Sequence, residues 1–455
     1  MSTELKLSAF KLEGDLISDA VLNARGRTIA WDAWVKRGIL TDDEAQSLKR
    51  IEDQTSLTDR AQVVLNDGPA YATKLISILS KAGHKDIVRF ALVSLIDASV
   101  VTGSELPGHV LSTSQIDSSL PYLPLSKLLS SDDEVTRYLS AYILTILLTN
   151  DNDSHKNHDA LLLELFDLLS VDLLSNTEVS VQYIGIQLLK ELLTIKEYRT
   201  LYWEYEAKYF PNLLKVFKDF KGELQMKYQT ILAVWLLTFS RKSITDINNK
   251  YPDLIGALYN VAKDAVKEKI VRLAIGALVN LLNIDSNKER VVKQYLLCNG
   301  LETTKQLIDR KWADEELKSD LNVLLETLNE AVSILTTFDE YENELKTKKL
   351  VWSPPHKSDE FWYENLDRFK ENNWKLLKEL VSLLDLPDLD QEQSYQNEAI
   401  VCFDVSQLIK VAPESAKALN KIGGKAKIMS LMTSPNSNVK FEALRTTQQL
   451  VAHTL

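Results

Sequence analysis

The feature that most constrains this chain is a unit that recurs from Ala70 onward. An apolar helical run ends, a short polar turn follows, and a second run opens on Val, Ile or Met with a core position four residues later. The pairs are Ile87 with Ala91, Val135 with Leu139, Val179 with Tyr183, Met226 with Thr230, Ile270 with Ala274, and Val439 with Ala443. Residues four apart share one face of an α-helix. From Ala91 through Leu139, Tyr183 and Thr230 to Ala274 the steps are 48, 44, 47 and 44 residues.

That period is the one expected of paired or tripled helices stacked in a row, the armadillo and HEAT arrangement. Each unit buries its apolar face only against its neighbours. The repeat is degenerate, since three of the six pairs lack the small Ala that lets helices approach closely. With only 14 Gly and 11 Pro in 455 residues, the tight turns of β-rich folds are scarce. The expectation is therefore all-α: an armadillo/HEAT-like helical-repeat solenoid in two blocks joined by a short linker. The front solenoid is placed at 1–335, the linker at 336–339 and a carboxyl-terminal helical-repeat domain at 340–455.

The boundary rests on a change of composition. A long helical pattern over 301–335 gives way at Phe338 to FDEYENELKTKKL, and between Asp339 and Glu392 stand 14 acidic and 8 basic residues. Leu350 to Phe369, LVWSPPHKSDEFWYENLDRF, fits no repeat. Pro354 and Pro355 lack amide protons and push the preceding residue toward extended geometry, so no helix passes through them. Trp352, Phe361 and Trp362 flank them with large apolar area that needs burial. With His356, these residues form a candidate structural corner or partner surface. A second aromatic run, YRTLYWEYEAKYFP, sets Tyr198, Tyr202, Tyr205 and Tyr209 at helical spacing. These four are either packed between repeats with their phenol oxygens at the rim or turned toward a partner.

Chemistry is conspicuous by what the motifs lack. Gly424-Lys425 is followed by Ala426, and Leu419 stands where a phosphate loop needs its first Gly. The loop NDNDSHKNHD (150–159) has Lys156 where a calcium loop needs Gly and Leu162 where it needs Glu, and His155 with His158 has no further ligands at zinc spacing. No catalytic residue, cofactor or metal site is expected, and the protein is expected not to be an enzyme. The net charge of −11 disfavours nucleic acid. Cys298 and Cys402 read as small buried hydrophobes in a reducing compartment. The first residues have no apolar core of a signal peptide, and no apolar run approaches the roughly 20 residues that span a bilayer.

Several short motifs then carry a resemblance. DEY at 339–341, WSPPH at 352–356, FW at 361–362 and the closing GGKAKIM and NVKFEAL resemble the H-subunit family of the vacuolar-type proton-translocating ATPase (V-ATPase). So do AWDA at 30–33, KEYR at 196–199, YQTILAVWLLTF at 228–239, KEKIVRL at 267–273 and RKWADEEL at 310–317, and the likeness is nearest to the fungal form. The resemblance implies a non-catalytic regulatory subunit on the cytoplasmic face of the vacuolar membrane or other endomembranes. Its implied partners are the peripheral stalk of the E and G subunits, the a subunit of the membrane sector, and the catalytic sector and rotor when the sectors separate. It would couple ATP hydrolysis to proton transport, and suppress hydrolysis when it follows the separated sector into the cytosol. The other class that acidic helical repeats serve is an armadillo-type assembly scaffold or trafficking adaptor. Nuclear-import adaptors place Asn four residues after Trp, and none of the eight tryptophans here has one.

Overall fold

The computed structural model describes residues 10–81, 83–152, 158–284, 287–335, 338–386 and 390–452, and among them every regular element is helical. Helix starts follow side-chain chemistry. Thr41 and Glu44 cap one another reciprocally at the helix Asp42–Glu52, and Asp133 accepts from the Thr136 amide at 3.0 Å to open Glu134–Asn150. Each satisfies a donor that a helix otherwise leaves unpaired.

The chain packs as two compact units, residues 1–246 and 247–455. In the first, the helices Lys85–Thr102, Glu134–Asn150, Val179–Leu192 and Leu224–Leu237 stack in sequence order. These are the helices that the recurring pairs open. Ile87, Ala91, Leu139, Met226 and Thr230 are buried, while Val135 is half-buried. At Val179–Leu192 the core register sits two residues later than the Val179–Tyr183 pairing: both of those are half-buried, whereas Val181 and Gly185 are buried. A Cβ at Gly185 would stand 3.0 Å from the Leu173 side chain and 3.2 Å from the Leu169 carbonyl oxygen, so the close approach is made there.

The amino-terminal segment, which offers no sequence signal, is tied across this stack. Leu12 donates its amide to the Tyr142 hydroxyl (3.1 Å), and Tyr142 donates to the Phe10 carbonyl (2.7 Å). Glu13 and Gln187 exchange amide and carbonyl contacts at 2.8 and 2.9 Å. The helix Asp15–Gly26 follows, and its Arg25 reaches the buried Asp97.

In the second unit the helix Glu268–Leu282 packs between Asp253–Asp264 and the long helix Glu315–Leu335. Residues 336 and 337 of the expected linker lie outside the described residues, as do 153–157 with His155. Phe338–Thr347 begins with a buried phenylalanine. The helix Gln391–Val411 forms the axis of the carboxyl-terminal block, and Ser437–Ala452 packs along it. The closing unit runs helix, Gly-Gly, helix, polar turn, helix: Ser415–Lys421, Gly424–Leu431 and Ser437–Ala452. Gly423 adopts φ 74°, which a residue with a Cβ rarely takes.

Candidate functional site

The corner is built from a short run of local decisions. Ser353 is extended (φ −71°, ψ 164°), the geometry favoured before proline, whereas Pro354, which also precedes a proline, is helical, and the pair begins a one-turn helix, Pro354–Lys357. Proline is tolerated there because its missing amide proton would have been unpaired anyway. Ser358 then turns the chain and accepts from the Phe361 amide at 3.2 Å, opening Asp359–Glu364. The approach to the corner is stitched down: Leu350 donates its amide to Asn397 (3.0 Å), Asn397 donates to the Lys348 carbonyl (3.0 Å), and Val351 donates to Glu344 (3.0 Å).

These turns deliver His356 into the interior, where it is wholly buried. Its Nδ1 lies 2.8 and 2.9 Å from the two Asp404 oxygens, and its Nε2 lies 3.1 Å from Glu344 Oε2. Tyr341 donates its hydroxyl to Asp404 at 3.0 Å, and Trp362 donates its indole N–H to the His356 carbonyl at 3.3 Å. Both ring nitrogens thus face carboxylate oxygens, and each has an acceptor waiting when the imidazole carries its second proton.

Burial opposes that charge. The charge and hydrogen bond of Asp404, with those of Glu344, overcome it and raise the His356 pKa to about 9. Burial pulls Glu344 upward, and its bond to and attraction by His356 leave it below the usual carboxylate range. Burial pushes Asp404 up against the pull of the same imidazolium. One cation thus serves two carboxylates in a dry interior, an arrangement that depends on every partner being present.

Around it close the rings of Tyr341, Phe361, Trp362 and Phe369. Tyr341 lies 5.4, 5.7 and 5.3 Å from the other three, centroid to centroid. Phe361 and Trp362 are buried, as is Pro355, while Pro354 is half-buried. Trp352 is also half-buried and meets Phe403 edge-on at 5.3 Å. The corner is therefore chiefly internal, with Trp352 at its rim.

The tyrosine run divides differently. Tyr198, Tyr202 and Tyr209 are buried, and only Tyr205, 45% exposed, offers area to a partner. Tyr198 donates to the Leu148 carbonyl (3.0 Å) and Tyr209 to Asp167 (3.0 Å), while Tyr202 meets Phe166 edge-on at 5.2 Å. The partner-facing alternative is corrected for those three. Their rings fill the space between stacked helices, with the Tyr198 hydroxyl satisfying a buried carbonyl and that of Tyr209 reaching the half-exposed Asp167.

Asp404, Glu344 and Tyr341 were not singled out from the sequence as partners of His356. Asp404 carried a usable signal, since it interrupts the apolar run IVCFDVSQLI in mid-helix. A carboxylate inside such a run needs a buried partner.

The V-ATPase H-subunit family matches through one domain over residues 15–328 and a second over residues 334–455. The H subunit of the V-type proton ATPase of Dictyostelium discoideum is 24% identical over 93% of this chain and 92% of its own length. That of Drosophila melanogaster is 25% identical over 96% and 90%. Among solved structures, a computationally designed armadillo repeat protein aligns with a TM-score of 0.44 at 16% identity, over 58% of this chain and all of its own. Among the described residues no helix is long and apolar enough to cross a membrane. Two consecutive domain matches that together span nearly all of the sequence leave one conclusion: the chain belongs to the H-subunit family of the V-ATPase.

Proposed function

We propose that this chain is a non-catalytic regulatory subunit of the peripheral sector of the proton pump, with two tasks. In the assembled pump it holds the peripheral stalk (the E and G subunits) through its front solenoid and couples ATP hydrolysis to proton transport. When the sectors separate, the block 340–455, joined at 336–339, leaves the a subunit of the membrane sector. It then contacts the catalytic sector and rotor from the cytosolic side and suppresses hydrolysis.

The observation that supports this reading is that the block has its own interior. Its buried cluster surrounds the His356 network and runs from Phe338, which belongs to the helix Phe338–Thr347 and not to a free linker, to Leu450, so it is equipped to move as one body. Its ties to the preceding helices include a partly exposed ion pair, Lys293 to Glu340 at 2.7 Å, and the packing of Glu315–Leu335 on Pro354–Lys357. Exposed ion pairs contribute on the order of 1 kcal/mol or less, a tie that a competing partner can replace.

The test is to place cysteines at 293 and 340 in a Cys298→Ser background and join them with a short cleavable cross-linker. The full chain, free or locked, is then added to pumps depleted of it and to the separated catalytic sector. The free chain should restore ATP-driven proton transport and suppress hydrolysis by the separated sector; locking should abolish one of these and cleavage return it. A locked chain that performs both would refute the moving block.

A further inference from the structure

The last described helix, Ser437–Ala452, turns Val439, Ala443, Thr446 and Leu450 inward, where all four are buried. Thr446 fastens it to the axial helix by donating to the Cys402 carbonyl at 2.7 Å. At about 100° per residue, Phe441, Leu444, Gln448 and Val451 fall on the opposite side. There Phe441 is 63%, Leu444 45% and Val451 51% exposed, and Met429, on the helix packed beside it, is 44% exposed. A helix side that packs against no other described element is expected to be polar. Scattered exposed apolar residues need no explanation, but a row of them along one side of a helix reads as a docking seam.

Charge selects what covers it. The chain as a whole is at −11, yet from Pro413 to Leu455 five lysines and one arginine stand against two glutamates. By helical angle Lys440 stands on one flank of the seam and Arg445 on the other, where Arg445 lies over the Phe403 ring and beside Glu442. Lys417, Lys421 and Lys440 are exposed. A second copy would bring this basic surface against itself, which like-charge repulsion disfavours.

We propose that the outward face of Ser437–Ala452 is a docking seam for an acidic amphipathic helix of another pump subunit. The partner's apolar ridge packs on Phe441, Leu444 and Val451, and its Asp and Glu flanks meet Lys440 and the lysines of the closing unit. This rests on the chain's place in the pump, and not on the moving block.

The test puts the photo-reactive residue benzoylphenylalanine at Gln448, at the centre of the seam, in the full chain re-associated with pumps depleted of it. Irradiation should give an adduct on a helical segment whose apolar ridge is flanked by acidic residues, mapped by mass spectrometry. Adding F441S and L444S, both at exposed positions, should cut the adduct yield about 10-fold. K440E should lower it a few-fold, and raising salt from about 50 to about 500 mM should weaken it further. An adduct on a second copy of the chain, or on a basic or non-helical segment, would overturn the proposal. So would no adduct from a chain that co-sediments with the pump. A chain that fails to co-sediment at all would count against its place in the pump, and the seam would fall with it.

Discussion

Replacing His356 by Gln separates what the imidazolium contributes from what the aromatic packing contributes. In the folded chain its pKa stands at about 9, above an ordinary 6.5. A group whose folded pKa is raised contributes stability that is fully present below the unfolded value and is lost as pH rises through the folded one. The His356 contribution is therefore complete below about pH 6.5 and gone above about pH 9. A displacement of this size corresponds to roughly 3 kcal/mol at most.

Glu344 and Tyr341 titrate elsewhere, and burial raises Asp404 against the pull of His356. Glu344 is lowered, so its contribution fades only as pH falls through the acid range. Tyr341 is raised well above 10 by burial, then by Asp404, so its effect belongs to strongly alkaline solution. Lys357, which follows His356 and is lowered by burial, acts in the opposite sense, and subtracting the variant's curve removes it. The assay is hydrogen exchange of the amides of Gln391–Val411 in the full chain, read as opening free energy at about half-unit steps from pH 6 to pH 9.5. The wild type should lose roughly 3 kcal/mol across that span relative to His356→Gln. Parallel curves for the two proteins would show that His356 is neutral in the fold and would refute the charge assignment.

Burial separates the two tryptophans of the corner. Trp362→Ala empties a fully buried site and strands the His356 carbonyl, so about 3–5 kcal/mol should be lost by denaturant titration. The half-buried Trp352 should lose clearly less. Gly185→Leu should lower the thermal midpoint by several degrees, because its Cβ alone meets Leu173 and the Leu169 carbonyl; an unchanged midpoint would remove the close-approach reading.

The helices of the stack were legible because their signal is local. A pair four residues apart after a polar turn marks the same kind of helix at Ile87, Met226, Ile270 and Val439, and all eight members of those pairs are buried. Where the reading slipped, at Val179, two apolar registers compete within one helix. The choice between them is made by Leu173 and Leu169 on the preceding element, which the helix's own sequence does not contain. The tyrosines show the same limit. Spacing placed Tyr198, Tyr202, Tyr205 and Tyr209 near one another, but which of them faces solvent follows from the backbone at Tyr205 (φ −110°, ψ 30°), where two helices meet and the periodicity breaks.

The corner went further beyond sequence because its partners are 12 and 48 residues from His356. A proline pair announces where a helix starts, but not that the next side chain will be charged and dry. That outcome needs Asp404 in the axial helix and Glu344 before the turn to arrive together. An apolar triad of similar volume would pack as well and avoid the desolvation of three ions. What the ionic version adds is selectivity. Glu344 lies in Phe338–Thr347, at the front of the block, and Asp404 in its central helix, and a shift of either leaves a buried charge unpaired. Slipped arrangements of Phe338–Thr347 against the axial helix are thereby penalised more steeply than oily contacts would penalise them. Under the proposed function, in which the block detaches and re-docks as one body, that resistance to internal slippage matters more than the last increment of stability.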